Sequence, residues 1–121
     1  MMKLTISKED VNQVKEKYGR ENAVAGYVEE FKILMIPLPK YYVAVIDDSN
    51  LTLVQMDMKF KEKEATVIPL YTVESVKTLG IFIKKIVIKT HTNEIKLTIR
   101  PLSVGIGDEQ KSLIQRFSEL S

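Results

Sequence analysis

The clearest hydrophobic pattern in this chain is an alternation of apolar and polar side chains near its C-terminus. Residues 82–90 and residues 94–100 both alternate with a period of two, which predicts two half-buried strands. The polar residues 91–93 between them predict a turn. The segment 82–90 places three large apolar side chains on one predicted face: Phe82, Ile86 and Ile88.

The pattern changes to helical spacing over residues 108–120. Asp108 is the predicted N-cap of this helix, because a short carboxylate can accept hydrogen bonds from the free amides of a first turn. The apolar positions fall on one stripe, which predicts a helix with one face against a core: Leu113, Ile114, Phe117 and Leu120. A hairpin followed by one terminal helix predicts a small sheet capped at one end.

The middle of the chain has strand character almost throughout. Gly26 is predicted to mark a bulge or bend, and the prolines of residues 36–42 interrupt the pattern because proline donates no backbone hydrogen bond. In residues 71–79 the alternation predicts Val73 on one face and Val76 on the other. The predicted strand segments are residues 23–36, 41–46, 51–58, 65–70 and 71–79.

The N-terminal segment predicts a short helix. Ser7 and Asp10 have the spacing of a capping pair, and Gly19 is a suitable terminator. Three apolar residues form a narrow stripe: Val11, Val14 and Tyr18. We expect this helix to lie on the surface of the main body, and a helical arm docked on a partner chain is the alternative.

About seven strands therefore lie between two helices. A seven-strand sheet leaves two unpaired edges unless it curls, so the pattern favours a mainly β (α+β) fold: a partly open antiparallel barrel capped by the C-terminal helix. We divide the chain into an N-terminal helical extension, residues 1–20, and one main domain, residues 21–121.

Composition is that of one globular domain. The chain has 121 residues, of which 45% are hydrophobic and 28% charged, and it contains no cysteine, which excludes disulfides and thiolate chemistry. A net charge of +2 is too small to indicate nucleic acid or a membrane by itself, so any electrostatic site must be local. The absence of a signal-like or membrane-spanning apolar stretch predicts a cytoplasmic protein.

Residues 22–120 resemble the bacterial pleckstrin-homology-like (PH-like) domains, relatives of the PH and GRAM-type folds. The resemblance rests on an order of short apolar segments: residues 67–70, 73–76, 82–90 and 95–99, then the helix around Phe117. It implies two orthogonal antiparallel sheets with the helix sealing one end. It also implies a scaffold that binds lipids in some members and peptides or proteins in others.

The chain departs from the phosphoinositide-binding members of that family. Residues 36–42, where those members carry a basic run, contain one lysine, no arginine and two prolines. The terminal helix has no tryptophan, and Phe117 is its nearest aromatic substitute. The resemblance therefore implies the scaffold without its best-known lipid motif.

No residue pattern predicts catalysis, a cofactor or a metal. His91 is the single histidine and falls in a predicted turn, and Asp47 and Asp48 are adjacent turn residues whose carboxylates diverge. The glycines at positions 105 and 107 lack the lysine of a phosphate-binding loop. We therefore predict a protein that is not an enzyme.

Two groups of residues are candidate binding surfaces. The first is a possible anionic-ligand patch, with a solvated charged loop as the alternative: Lys59, Lys61, Lys63, Lys84, Lys85 and Lys89. The second is a possible partner surface, with core and corner packing as the alternative: Pro37, Pro39, Tyr41 and Tyr42.

These candidate surfaces predict three functions, which we rank from the most to the least favoured. Protein–protein interaction or self-association comes first, because an open sheet invites strand addition at its edges. Peripheral binding of anionic lipids or other anionic ligands through the lysines is the alternative. Single-stranded nucleic-acid binding on a small barrel comes last, because Lys96 and Arg100 have no aromatic residue between them.

Overall fold

The computed structural model describes residues 6–30, 40–101 and 105–120. Helix α1 (Lys8–Tyr18) opens the described chain and helix α2 (Gly107–Glu119) closes it, with a single 3₁₀ turn at Leu70–Thr72. Seven strands lie between the helices: β1 (Val24–Glu30), β2 (Lys40–Ile46), β3 (Asn50–Met56), β4 (Glu62–Pro69), β5 (Val73–Leu79), β6 (Lys84–Thr90) and β7 (Glu94–Ile99). The predicted mainly β fold with two helices is confirmed.

All seven strands form one antiparallel sheet in the order β4-β3-β2-β1-β7-β6-β5. The two edge strands, β4 and β5, are consecutive in the chain and are joined by the 3₁₀ turn. Ile68 of β4 and Val76 of β5 belong to the same buried cluster. The sheet therefore curls around one core, as the predicted partly open barrel requires.

The inner face of the sheet and the underside of α2 form the main core. Every strand contributes side chains of one alternation phase, and Leu113 and Phe117 of α2 are fully buried among them. The inward residues of the last two strands are Ile86, Ile88, Leu97 and Ile99. Their opposite-phase neighbours consequently lie on the outer face of the sheet.

Helix α1 covers part of the outer face. Val11 and Val14 pack with Ala25, Val43 and Val45 in a second buried cluster, so both faces of β2 are covered. Ser7 and Asp10 form the predicted capping box, with Ser7 Oγ accepting from the Asp10 amide at 3.1 Å and Asp10 Oδ2 accepting from the Ser7 amide at 3.1 Å. The helix lies on its own sheet, as predicted, rather than standing away from it as an arm.

Two strand predictions are wrong. A register shift between Val73 and Ser75 places an extra residue in β5, so Val73 packs against the same core as Val76. Phe82 does not belong to a strand with Ile86 and Ile88, because β6 begins at Lys84 and Phe82 is 82% exposed. Period-two alternation cannot show a bulge or the place where pairing stops.

The start of α2 also differs from its prediction. The N-cap is Ile106, which makes no side-chain capping hydrogen bond, and Asp108 lies within the first turn. A carboxylate there still interacts favourably with the helix dipole. At the other end, Leu120 is 38% exposed, so the apolar stripe contacts the core through Leu113, Phe117 and the half-buried Ile114.

Gln110 of α2 joins two strands that separate. The described β1–β7 pairing consists of two residue pairs at Glu29 and Glu30. Further along, the fully buried Gln110 accepts from the Tyr27 amide at 2.7 Å and donates to the Tyr27 carbonyl at 2.7 Å and the Arg100 carbonyl at 3.3 Å. Its side-chain amide thus replaces the missing strand partner of Tyr27.

Gly26 provides the space that this contact needs. The β1–β2 register runs through Gly26 and Ala44 without a shift, so of the two predicted alternatives, a bulge or a bend, the bulge is wrong. A Cβ at Gly26 would lie 2.6 Å from Gln110 Oε1 and 2.9 Å from Leu113 Cδ2. The residue is glycine because α2 approaches the backbone of β1 closely.

Asp47 anchors the β2–β3 turn to the segment after α1. One carboxylate oxygen accepts from the amides of Ser49 and Asn50 at 2.8 Å each, and the other accepts from the Arg20 amide at 3.0 Å. Burial opposes ionisation of Asp47, but these hydrogen bonds together hold the pKa of its carboxyl below the usual range. Asp48 faces solvent and accepts a hydrogen bond from the Asn22 side chain. Both aspartates therefore stabilise the turn and its neighbouring segment.

Replacing Asp47 with asparagine is expected to lower the free energy of unfolding by about 1–2 kcal/mol at neutral pH, because one carboxylate acceptor is lost. The pKa of Asp47 is lower in the folded than in the unfolded chain, so the charged form stabilises the fold above about pH 4 and this contribution disappears as the pH falls through the folded pKa. Urea unfolding followed by circular dichroism at several pH values measures the difference.

Asp48→Asn is the matched control, expected to change stability by less than about 0.5 kcal/mol. The Asp47→Asn difference should shrink on acidification. A difference that persists unchanged into strong acid would contradict the role assigned to the carboxylate.

Candidate functional site

The six lysines of the predicted anionic-ligand patch lie in two parts of the sheet. Lys59 and Lys61 belong to the turn between β3 and β4, and Lys63 is in β4, one edge strand. Lys84, Lys85 and Lys89 are in β6, beside the other edge strand. The two groups therefore occupy separate strands, with four strands between them along the sheet.

The β3–β4 turn, which carries Lys59 and Lys61, is organised by hydrogen bonds to one acidic side chain. Asp57 Oδ1 accepts from the amides of Lys59 and Lys61 at 2.8 and 2.9 Å. The hydrogen bond from the Lys61 amide is the largest of the effects that hold the pKa of Asp57 below its usual range. Phe60, at a positive φ of 59°, lies between the two lysines and packs edge-on against Tyr27 at 6.2 Å between ring centroids. This segment has a structural explanation as a compact turn.

The lysines of β6 divide between the two faces of the sheet. Lys84 has the inward phase of Ile86 and is half-buried, and its Nζ donates to the Gly80 carbonyl at 2.9 Å. Lys85 and Lys89 have the outward phase. The register then places Lys77 of β5 and Lys96 of β7 on that same outer face, on either side of Val87.

We call these four residues the lysine face: Lys77, Lys85, Lys89 and Lys96. Two acidic residues accompany them. Glu94 pairs with Lys89 across the sheet, and its Oε1 lies 3.6 Å from Lys96 Nζ. Glu74, the extra residue of the β5 bulge, is exposed and lies 3.4 Å from His91 Nδ1. Lys77 and Lys89 make no ion pair with any carboxylate in the part of the chain that the structure describes. The lysine face is thus a concentration of positive charge on a protein with little net charge.

Lys77 and Lys96 were not predicted as members of this surface from the sequence. Both lie in alternating segments, so their phase is visible in the sequence. Strand pairing is not visible, and only the register aligns Lys77 and Lys96 with Val87. The bulge at Val73 also shifts the phase of the start of β5.

The connection between β5 and β6 is the most exposed apolar segment of the described chain. Together with Leu79, the last residue of β5, we call this connection the apolar loop: Leu79, Gly80, Ile81, Phe82 and Ile83. Ile81 and Phe82 are each 82% exposed, and Leu79 and Ile83 are exposed as well. The apolar loop is the tip of the hairpin whose strands carry Lys77, Lys85 and Lys89.

Of the four residues of the predicted partner surface, the structure describes Tyr41 and Tyr42, and these two lie on opposite faces of β2. Tyr41 lies on the outer face of β2, stacked on Tyr27 with ring centroids 5.8 Å apart. Tyr42 points to the inner face, where it is buried and donates to Glu30 Oε2 at 3.2 Å. Adjacent residues of a strand face opposite ways. Pro37 and Pro39 lie outside the described residues.

Tyr42 acts as a core residue with a polar end. Burial, followed by the nearby charge of Glu30, raises the pKa of Tyr42 to about 12. The hydroxyl is therefore protonated at neutral pH and donates to the Glu30 carboxylate. For Tyr42 this matches the alternative of core packing.

The residues that could take part in catalysis or metal binding do not come together in one site. His91 is exposed, with Nδ1 3.4 Å from Glu74 Oε1. No group of three metal-ligating side chains occurs among the described residues. A cavity of about 120 Å³ lies between α1, the start of β1 and the beginning of α2. It is smaller than ordinary ligand pockets, which measure several hundred Å³. The residues that line it are Asn12, Lys15, Ala23, Val24, Ala25, Asp108, Glu109 and Ser112.

Comparison with known proteins adds no family to this description. Neither a protein-family model nor a curated protein matches the chain. Within the described residues, no helix is long and apolar enough to cross a membrane.

Proposed function

We propose that this protein is a PH-like binding module without catalytic activity that binds anionic surfaces or ligands through its lysine face. The observation that supports the proposal is the position of four lysines on the outer face of β5, β6 and β7, with two nearby glutamates, Glu94 and the bulge residue Glu74. Neighbouring strands lie about 4.8 Å apart, so these ammonium groups are close enough to act on one ligand together.

The physical basis is the unbalanced charge of this face. Lys77 and Lys89 have no ion pair among the described residues, and the carboxylate nearest to Lys96 is half exposed, so solvent weakens that pair. An anionic headgroup or phosphate adds counter-charge beside all three lysines. Binding of this type weakens as salt is added, because exposed charges are screened beyond about 10 Å at 0.1 M salt.

The triple variant Lys77→Gln/Lys89→Gln/Lys96→Gln is expected to bind vesicles of equal parts phosphatidylcholine and phosphatidylglycerol about a hundredfold more weakly. Each lysine near an anionic surface contributes about 1 kcal/mol, and about 1.4 kcal/mol corresponds to a factor of ten. Vesicle sedimentation at low and high salt measures the change.

The matched control is Lys59→Gln/Lys61→Gln/Lys63→Gln, which removes the same charge from the other edge of the sheet. Both triple variants change the net charge from +2 to −1. We expect the control to bind within about threefold of the wild type, because the charge near the lysine face is unchanged. Equal losses in both variants would show a non-specific effect of net charge and would contradict a site on the lysine face.

Protein interaction or self-association, the first prediction from the sequence, is the second candidate function. The supporting observation is that β4 and β5 are edge strands and that residues 62–67 of β4 are all exposed. Light scattering across a concentration series tests self-association, and a mass of one chain throughout counts against it.

Nucleic-acid binding has less support. Stacking of bases needs aromatic residues among the basic ones. The outer positions of β5, β6 and β7 that separate the lysines are occupied by other types: Ser75, Leu79, Val87 and Thr98.

A further inference from the structure

Within the part of the chain that the structure describes, the apolar loop has no packing role that explains its composition. Ile81 and Phe82 leave most of their surface in water, although burial of such side chains is favourable. Contiguous exposed apolar residues on a protein surface mark a site of contact with a protein, a membrane or a ligand. Leu79 and Ile83 extend the exposed apolar surface on both sides of the tip.

Two local features favour a defined shape for the loop. Gly80 has φ +98°, a conformation that other residues rarely adopt, and a Cβ there would collide with the Ile83 carbonyl. Lys84 Nζ closes the turn on the Gly80 carbonyl. Pre-organisation of this kind removes part of the entropy lost on binding.

Lysines surround the base of the loop. Leu79 pairs with Lys85 across the hairpin, and Lys77 lies two residues before Leu79 on the same outer face. Lys84 follows Ile83 directly. The loop has apolar side chains at its tip and lysines behind them. An anionic membrane has the matching layers, since hydrocarbon lies beneath negative headgroups.

We infer that the apolar loop inserts into the hydrocarbon boundary of an anionic bilayer while the lysine face contacts the headgroups. The inference rests on the proposed function, and it names a lipid surface rather than a soluble anion as the source of negative charge. Insertion adds a salt-insensitive part to the binding, because burial of apolar area does not depend on ionic screening.

A second copy of the chain is a poorer partner for this loop. Packing two tips against each other brings Lys77, Lys84 and Lys85 of both copies together, and like charges repel. An anionic bilayer neutralises the same residues. A convex hairpin tip also needs a deformable or concave partner, and a bilayer deforms around inserted side chains.

A single tryptophan at the tip tests the inference directly. The sequence contains no tryptophan, so the emission of Phe82→Trp reports only on the loop. With vesicles of equal parts phosphatidylcholine and phosphatidylglycerol we expect a blue shift and quenching by brominated acyl chains. Tyr71→Trp is the matched control, because Tyr71 is 85% exposed in the 3₁₀ turn at the other end of β5, and its emission should stay unchanged.

The possible outcomes separate the inference from the proposed function. Sedimentation with vesicles but an unchanged Phe82→Trp spectrum overturns insertion and leaves charge-driven binding by the lysine face. No sedimentation at low salt overturns both. A concentration-dependent blue shift without vesicles assigns the tip to a second copy and overturns insertion.

Polar substitution measures how much insertion contributes. Phe82→Ser is expected to weaken vesicle binding about tenfold, and to do so at low and high salt alike. Tyr71→Ser should change binding by less than about twofold, because an exposed side chain elsewhere has no part in insertion. An equal effect of both substitutions, or an effect of Phe82→Ser confined to low salt, would overturn the inference.

Discussion

Gln110→Ala is expected to lower the free energy of unfolding by about 3 kcal/mol. The substitution removes three hydrogen bonds at a fully buried site and leaves the amide and carbonyl of Tyr27 without their described partner. Alanine is the better helix former, so helix propensity works against the expected loss. Denaturant unfolding followed by circular dichroism measures it.

Gln115→Ala provides the control, because Gln115 is exposed on the same helix and undergoes the same chemical change. Its expected effect is within about 0.5 kcal/mol. Gln110→Met keeps most of the side-chain volume and should lose nearly as much stability as Gln110→Ala. A methionine variant as stable as the wild type would mean that volume rather than hydrogen bonding matters at this position.

Gly26→Ala is expected to destabilise the protein by about 2 kcal/mol, because the added methyl group overpacks the contact between β1 and α2. Its Cβ would lie 2.6 Å from Gln110 Oε1 and 2.9 Å from Leu113 Cδ2. Gln110 cannot simply rotate away, since the Tyr27 amide holds that oxygen at 2.7 Å. Thermal or denaturant unfolding measures the change.

Gly107→Ala should have the opposite sign. The nearest atom to a Cβ there is the Pro101 carbonyl oxygen at 3.8 Å, so the substitution stabilises α2 by about 0.5 kcal/mol. Combining Gly26→Ala with Gln110→Ala should cost about 1 kcal/mol less than the two single effects added, because alanine at position 110 removes the nearest colliding atom. Strict additivity would contradict the proposed contact.

The elements of this fold could be predicted because their residues carry local signals. Ser7 and Asp10 form the expected capping box, and the alternation of β7 predicted its inward side chains correctly. The bulge at Val73 and the true start of β6 left no such signal, so Val73 and Phe82 were assigned to the wrong places. An extra residue in a strand is identified only by its partner strand.

The candidate site could be predicted only in part. Lys85 and Lys89 were recognised, but they were grouped with the turn lysines Lys59 and Lys61, which lie beside the opposite edge strand. Tyr41 and Tyr42 were treated as one surface, although adjacent positions of β2 point to opposite faces. Charge is a property of the sequence, whereas a charged surface depends on which strands are neighbours.

The sequence by itself determined the inventory of this protein: seven apolar segments of strand type, two amphipathic helices, and lysines spaced to alternate with apolar residues. These features arise from backbone propensity and side-chain periodicity, which act over a few residues. The tertiary structure alone decided the sheet order, the burial of Gln110 and the convergence of the lysine face. It also decided that Phe82 faces water, because exposure depends on contacts between residues far apart in the chain, and local pattern contains no information on those contacts.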